Sequence, residues 1–471
     1  MAAAPARAAC NGASLGECRI DLFQGPVLGP ARATALGGAF AAYAEGVDAI
    51  AANAAAVAVR VPYSFDWADY DLTLGVSFPA AFRNTDFDND GKVGFTYENF
   101  YFYTLGAQLQ LGAWGIGVLA DFQTYDLLPA KRAGDPEVDE TLGRVHAVLG
   151  RSFFGGQLAL GGGVRAVTFS IDSQQNGVAS TDLSMQGVAP EVGVQIRPDY
   201  FPWRLGATLR AAVEGRVSAS SEAPRGPTAL PLIRPAGINL PWELELGAAI
   251  QLGPRPLNPQ WINPHADEAK ERSQIAADRL ARSVAQDLEL DAICDPGERA
   301  ERARTFAAQE KFLRREESAR FDETHQRLRA ERRARYGNWP RERITVLIEL
   351  LISGKSADAI GLESYFSGQA ALAQTTSTMD FRRSGESVSY SPRLGLEGEP
   401  VPNWLQTRFG TYIEPSRFGG HARQHFTFGF DVKLAAWSGF GLFGDQIWRI
   451  GGVTDLAPRY QSFGISLGAW H

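Results

Sequence analysis

The chain has no run of about 18 apolar residues anywhere in its 471 positions, which excludes a membrane-spanning helix. This absence does not exclude a membrane β-barrel, because strands that alternate apolar and polar residues dilute the hydropathy to average values. The net charge of -7 gives no argument for nucleic-acid binding, so no nucleic-acid partner is expected.

Cysteine is scarce, with three residues in all. Cys10 and Cys18 lie close together, and Cys294 stands alone. The close pair is compatible with a disulfide in an oxidising compartment, within an N-terminal segment that we place at residues 1–28. Residues 6–8 (A-R-A) have the small-x-small form of a signal-peptidase site, so we expect the chain to begin inside or just after a signal peptide. The alternative is an ordinary alanine-rich disordered start.

Catalytic motifs are also missing. The sequence contains no H-E-x-x-H, no G-x-S-x-G and no G-x-x-x-x-G-K-[ST]. Zincins, α/β-hydrolases and P-loop enzymes need these patterns for their metal, nucleophile and phosphate sites. We therefore expect no enzyme, and an outer-membrane lipase is the weakest of the functions considered.

Small residues, in contrast, are abundant near the start of the chain. Residues 29–57 consist largely of Gly and Ala, with isolated polar residues among them. Small side chains let one backbone approach another closely, which benefits a segment threaded through a confined space. We interpret residues 29–68 as a plug, or hatch, inside the lumen of a barrel.

Short alternating strands fill most of the remaining sequence. We predict eight strands in residues 69–253 and six in residues 343–471. Short turns such as Gly112–Trp114 alternate with longer polar loops such as residues 172–187, as in outer-membrane barrels. The predicted fold is an all-β membrane barrel of about 14 antiparallel strands in the bacterial outer membrane, surrounded by outer-membrane lipid.

Residues 254–342 interrupt this pattern. Here the sequence is highly charged, and we predict a periplasmic helical hairpin with helices over residues 266–291 and 297–335. Ile275, Leu280, Val284 and Leu288 form a thin apolar stripe on the first helix. A coiled-coil-like seam recurs about every seven residues on the second, and it consists of Phe306, Leu313, Phe321 and Leu328. We consider residues 264–336 a candidate docking arm for a periplasmic protein; the alternative is a solvated hairpin that replaces a turn.

The plug motif R-A-T-A-L-G-G-A (residues 32–39), followed by D-A (48–49) and N-A-A (53–55), resembles FadL-type outer-membrane channels. In that family the last element is N-P-A, so Ala54 replaces a proline. The resemblance implies a fourteen-stranded barrel with an N-terminal hatch and passage of hydrophobic small molecules such as fatty acids or other lipid-like compounds. The hatch and gating residues that it implies are Arg32, Leu36, Gly37, Gly38, Phe40, Asp48 and Asn53. PorV-type barrels share the motif but act as docking partners of secretion machinery, which leaves open a non-transporting barrel that anchors a protein assembly through its insert.

Residues 86–93 read D-F-D-N-D-G-K-V. Alternating carboxylates before a glycine turn resemble EF-hand loops, in which oxygen ligands surround Ca²⁺. Asp86, Asp88 and Asp90, with the backbone carbonyl of Lys92, are the predicted ligands. The glutamate expected at loop position twelve is missing, since Tyr97 occupies that position, so an ordinary Asp-Asn-Gly surface turn is the alternative.

Overall fold

The computed structural model describes residues 18–60, 64–80, 85–91, 100–128, 137–175, 178–217, 235–365, 382–437 and 446–470. The chain divides into two compact units. The barrel unit comprises Met1–Val61, Tyr70–Pro259 and Pro340–His471, and the helical unit comprises Pro62–Asp69 and Gln260–Trp339.

The described residues form nineteen strands. Their bounds are β1 (Arg19–Asp21), β2 (Ala68–Pro79), β3 (Tyr101–Leu111), β4 (Trp114–Leu128), β5 (Glu137–Phe153), β6 (Leu158–Gln175), β7 (Val178–Ile196), β8 (Trp203–Arg210), β9 (Val213–Val217), β10 (Gly237–Leu240), β11 (Glu243–Leu252), β12 (Ile344–Ser353), β13 (Ala359–Gly361), β14 (Arg383–Ser384), β15 (Ser389–Val401), β16 (Leu405–Glu414), β17 (Arg423–Trp437), β18 (Gln446–Ala457) and β19 (Tyr460–Ala469).

Fourteen of these strands close an antiparallel barrel: β2–β8, β11, β12 and β15–β19. Closure occurs between the last and first barrel strands, where Ser462 of β19 pairs with Pro79 of β2. Eight barrel strands precede the helical insertion and six follow it, which confirms the predicted count. Within the described ranges each barrel strand has a neighbouring strand on both sides, as a lipid-embedded sheet requires.

The wall of the barrel is polar inside and apolar outside. Along β3, Thr104, Gln108 and Gln110 are buried, whereas Leu105 and Leu109 are 49% and 42% exposed. A soluble sheet buries its apolar face, so this reversed alternation is typical of a transmembrane barrel. We call the end at which β3 and β5 begin the loop end, and the end with the β3–β4 and β5–β6 turns the short-turn end.

Two regions differ from the sequence prediction. Of residues 172–187, predicted as a loop, 172–175 and 178–187 instead extend strands β6 and β7, with Asp172 paired to Thr181. Backbone pairing stabilises this extension although its side chains are polar, so the alternation of apolar residues did not mark it. Five short strands (β1, β9, β10, β13 and β14) were also unpredicted, and β1 lies parallel between β10 and β13.

The helical unit contains α2 (Pro264–Asp267), α3 (Ala269–Asp291) and α4 (Pro296–Gly337). The Asp295 side chain caps α4 by accepting hydrogen bonds from the amides of Gly297 and Glu298, at 2.7 and 2.8 Å. A short α1 (Ala31–Ala35) lies in the barrel unit. Among the described residues, no helix combines the length and the apolar character needed to cross a membrane.

Candidate functional site in the barrel interior

Residues 29–60, which we call the inner segment, run through the interior of the barrel as short helical pieces. After α1 the chain turns at Gly37 and Gly38, whose φ angles are +62° and +77°. Residues other than glycine rarely adopt positive φ angles, which explains the glycine pair of the motif. Two 3₁₀ helices follow, Val47–Ala49 and Ala54–Ala58. Ala54 takes the first helical position, which tolerates proline as well as alanine, so the fold forms without the family's proline.

Glycines of the wall face this segment directly. A Cβ atom at Gly161 of β6 would overlap the carbonyl group of Ala54, and one at Gly206 of β8 would overlap that of Ala41. The next residue of β6, Gly162, lies on the opposite face of the strand. A Cβ atom there would be 3.6 Å from its nearest neighbour, the carbonyl oxygen of Glu191. Glycine is therefore needed on the inner face, where backbone meets backbone.

Hydrogen bonds between side chains and backbone connect the inner segment and the wall. The Glu349 carboxylate on β12 accepts hydrogen bonds from the amides of Phe40 and Ala41, at 2.9 and 2.7 Å. Asn53, itself fully buried, donates to the carbonyl oxygens of Ala41 and Val194, at 2.9 and 3.1 Å. These bonds satisfy backbone groups that would otherwise be buried without partners.

A chain of alternating charges links the inner segment to β15–β18. Glu397 accepts from Arg32 at 3.2 Å and from Arg408 at 2.7 Å. Arg408 also donates to Asp431 at 2.6 Å, and Asp431 accepts from Arg449 at 2.9 Å. Arg449 in turn pairs with Asp48 of the inner segment. All of these groups are buried, and each charge lies beside an opposite one, which offsets their loss of hydration.

All seven residues predicted for the hatch lie in the inner segment and are buried. Arg32, Asp48 and Asn53 make the polar contacts described above, and Leu36 and Phe40 belong to an apolar cluster within the barrel. Their role in gating stays a prediction. Sequence reasoning missed the wall residues that hold them, such as Glu349 and Glu397. A charged residue at an inward position of an alternating strand was the available signal.

A larger apolar cluster occupies the interior near the loop end. Its buried residues come from the barrel strands, from the short strands β1, β9, β10 and β13, and from segments next to these strands. They are Cys18, Ile20, Leu22, Phe87, Phe100, Tyr125, Leu142, Val167, Phe169, Ile171, Leu183, Met185, Ala189, Val213, Ile238, Leu240, Ile360, Leu362, Tyr365 and Tyr460. Such a group is unusual inside a membrane barrel, whose interior is normally polar.

A cavity of about 130 Å³ lies between residues 23–30 and the wall. Leu240, at its border, also belongs to the apolar cluster, whereas Arg144, Arg165 and Glu243 give the cavity a charged side. The interior thus changes from apolar near the loop end to charged beside the inner segment.

The predicted calcium ligands are only partly brought together. Asp86 and Asp88 lie beside Glu363, a residue 275 positions further along the chain than Asp88. Asp90 instead forms an ion pair with Arg382 at 2.8 Å, and Lys92 lies outside the described residues. Burial and the neighbouring Glu363 carboxylate raise the pKa of Asp88 well above its ordinary value.

The predicted docking seam of α4 is largely covered. Phe306 is buried, and Leu313, Phe321 and Leu328 are half-buried. Arg272 of α3 stacks over the Phe321 ring at 5.1 Å, so this side of α4 faces α3. Large apolar residues are exposed on both helices: Leu280, Val284 and Leu288 on α3, and Phe312 on α4. Docking of a partner through the α4 seam stays a prediction.

Cys18 is buried, and Cys294 is free and exposed. Cys10 lies outside the described residues, so the Cys10–Cys18 disulfide stays a prediction.

No protein-family model and no curated protein sequence matches the chain. Solved structures with a similar fold include the toluene transporter TbuX of Ralstonia pickettii, with 10% identity and a TM-score of 0.45 over 94% of this chain and 98% of the other. The monoaromatic hydrocarbon channel CymD has 9% identity and a TM-score of 0.45 over 94% and 96%. A FadL homologue of Pseudomonas aeruginosa has 11% identity and a TM-score of 0.40 over 98% of both chains. The chain is similar to these FadL-type barrels in fold, in agreement with the sequence resemblance.

Proposed function

We propose that this chain is a β-barrel that passes small hydrophobic molecules across the outer membrane of a Gram-negative bacterium, with the inner segment as its gate. The observation that carries the proposal is the apolar cluster inside the barrel near the loop end. A barrel that passes ions or sugars gains nothing from such a surface, whereas a hydrophobic ligand needs one to leave water.

The outer face of the barrel supports a membrane location. Large apolar side chains are exposed on strands around the whole barrel, among them Leu74, Leu149, Leu205, Ile348 and Ile465. Contiguous apolar surface of this extent is not found on soluble monomers, and lipid is the surrounding that it fits. Short turns at one end and longer connections at the other favour the loop end as the extracellular one.

The inner segment supports a gate. It crosses the interior on the short-turn side of the apolar cluster. Besides the ion pairs of Arg32 and Asp48, it is bound to the wall by hydrogen bonds between side chains and backbone, such as those of Glu349 with Phe40 and of Asn53 with Val194. Hydrogen bonds of this kind contribute about 0.5–1.5 kcal/mol each, so a local shift of a few residues costs far less than removing the whole segment. Passage therefore needs only a local rearrangement.

The test is uptake into proteoliposomes of two probes, toluene and a long-chain fatty acid. Ile171→Asn places an amide in the apolar cluster, and we expect it to reduce uptake about tenfold, because the buried amide costs about 1–3 kcal/mol on the ligand's path. Asn53→Ala removes the hydrogen bonds from the Asn53 amide to the wall carbonyl oxygens of Val194 and Ala207, and we expect it to increase uptake. Gly162→Ala, on the outward face of β6, is the matched control.

Uptake that is equal in the wild type and Ile171→Asn would overturn the proposed route. The two probes distinguish an aromatic substrate from a lipid-like one.

Deletion of residues 260–339 tests the anchoring alternative. The paired ends Leu252 and Ile344 keep β11 and β12 together, so we expect the barrel to fold and uptake to survive.

A further inference from the structure

Three carboxylates from two distant parts of the chain meet near the loop end. One oxygen atom each from Asp86, Asp88 and Glu363 lies within 4.8 Å of the other two. Ligands of one Ca²⁺ ion lie 2.3–2.6 Å from it, so two of them are separated by at most about 5 Å. We propose that Asp86, Asp88 and Glu363 bind a divalent cation, and that the cation is calcium.

The Asp88 carboxylate is the observation that points to a ligand. Both of its oxygen atoms are buried and have no hydrogen-bond partner among the described residues. A buried carboxylate without a donor is strongly destabilising unless a cation or a proton compensates it. The Asp88 oxygens face the Glu363 carboxylate, which is itself buried, so the geometry places negative charge against negative charge.

The backbone around these groups is already arranged as a cradle. Asp86 accepts hydrogen bonds from the amides of Asp90 and Gly91, at 3.0 and 3.1 Å. The Oε2 atom of Glu363 accepts from the amides of Phe87 and Asp88, at 3.2 and 3.3 Å. Each Asp86 oxygen keeps a second lone pair, and the Oε1 atom of Glu363 accepts neither of these two bonds, so the bonds orient the ligands and leave acceptor positions for an ion.

The arginines of this region have other partners. Arg382 pairs with Asp90 and also donates to the Asp90 carbonyl oxygen. Arg423 donates to the Asp86 carbonyl oxygen at 2.6 Å and pairs with Glu414 at 2.8 Å. Neither of them bonds to the Asp88 carboxylate, so within the part of the chain that the structure describes no guanidinium takes the place of the cation.

Calcium fits this donor set better than other common ions. The three carboxylates are hard oxygen donors, which suit calcium, magnesium or manganese better than the softer zinc or copper. Magnesium needs a nearly ideal octahedron at 2.0–2.1 Å, whereas calcium accepts six to eight oxygens in flexible geometry. Glu363 supplies the carboxylate that a self-contained EF-hand loop would carry at position twelve. The bound ion would join residues 85–91 to the segment after β13, and both carry members of the apolar cluster, Phe87 and Tyr365.

The experiment is calcium binding to the full chain in detergent after treatment with EGTA, measured by calorimetry, with magnesium in a parallel titration. We expect one site with a Kd of about 10⁻⁴–10⁻³ M, the range of extracellular calcium modules. Glu363→Gln keeps an oxygen that can accept the two amides but removes the charge, and we expect it to weaken binding about tenfold or more. Asp88→Asn is the second variant.

Glu386→Gln is the matched control, because Glu386 lies in a neighbouring loop, is exposed and pairs only with Arg383 among the described residues. It should bind calcium like the wild type. Melting curves give a second readout: calcium should raise the Tm of the wild type and leave that of Glu363→Gln unchanged.

Two results would overturn the site. Wild-type protein that neither binds calcium at 10⁻² M nor gains in Tm has no such site, since about 10⁻² M exceeds the expected Kd at least tenfold. If, in addition, Asp88→Asn raises the Tm in EGTA, the carboxyl groups of Asp88 and Glu363 share a proton instead of binding a metal ion. Equal weakening by Glu386→Gln would show that calcium binds to the surface charge in general.

Discussion

The interior of the barrel and the helical unit are both held together by arginine–carboxylate pairs, but in opposite surroundings. Glu397 and Arg408, in the barrel, are 0% and 2% exposed. Glu289 and Arg302, which pair between α3 and α4 at 2.7 Å, are 48% and 46% exposed. The same chemical pair therefore has different consequences: a buried pair is costly to break, and an exposed pair contributes little.

The two regions also differ in the packing that accompanies their ion pairs. The inner segment packs backbone to backbone against wall glycines, so its ion pairs act together with close packing. The helical unit has only Ile275 and Phe306 as buried large apolar residues on its two long helices. Its helices depend on their ion pairs and on intrinsic helix propensity, as expected for a charged hairpin.

The largest effect should follow from Glu397→Gln. Glu397 accepts from three arginines and from the Tyr43 hydroxyl. Removal of its charge leaves buried guanidinium groups uncompensated, and we expect a loss of about 3–5 kcal/mol in the free energy of unfolding. Denaturant unfolding of the barrel in detergent measures it.

The matched change is Glu289→Gln in the helical unit, for which we expect a loss of about 0–1 kcal/mol in the free energy of unfolding. Equal losses in the two variants would contradict the contrast between buried and exposed pairs.

The next largest effect should come from a methyl group between wall and inner segment. Gly161→Ala forces the wall and Ala54 apart, and we expect a loss of about 1–3 kcal/mol. Gly162→Ala, one residue later on the outward face, should change stability by no more than about 0.5 kcal/mol. The same unfolding assay compares the two variants, and a reversed order would place the inner segment elsewhere.

A smaller effect should appear as a pH dependence of the helical unit. Burial opposes ionisation of Glu268, but hydrogen bonds from His325 and Arg272 outweigh it, and the pKa of Glu268 is lowered from its ordinary value of 4.5. A lowered pKa stabilises the folded state above pH 4.5, and this stability is lost as the pH falls through the lowered pKa. We expect the thermal midpoint of the helical circular dichroism signal to fall over this range.

Glu268→Gln lacks the ionisation and should show a weaker pH dependence between pH 6 and pH 3. If the thermal midpoints of the wild type and Glu268→Gln decline in parallel, other carboxylates determine the acid sensitivity of the unit.

The smallest effect should follow from Leu280→Ala on α3. Leu280 is 66% exposed, so its truncation removes little buried surface, and we expect a change within about 0.5 kcal/mol. Truncation of the buried Ile275 on the same helix is the comparison, with an expected loss of about 2–5 kcal/mol. The circular dichroism signal of the helices measures both variants. A large loss of stability in Leu280→Ala would mean that other parts of the protein cover this face.

The sequence by itself determined the class of the fold. Alternation of apolar and polar residues at period two, set against a charged helical insertion, predicted fourteen strands in groups of eight and six. These features are local, since each strand carries its own periodicity. The glycine- and alanine-rich stretch likewise identified the segment that fills the interior, because only small residues fit where backbone meets backbone.

Contacts between distant residues were decided only by the tertiary structure. Glu349 and Glu397 are ordinary inward positions of two strands until barrel closure brings them to the inner segment. Glu363 joins Asp88 across 275 positions, a distance over which periodicity carries no information. The α4 seam was correctly identified as apolar, but its packing against α3 and the exposure of Leu280 depend on how the hairpin closes. A local pattern specifies which face of an element is apolar, whereas what that face meets is a property of the assembled fold.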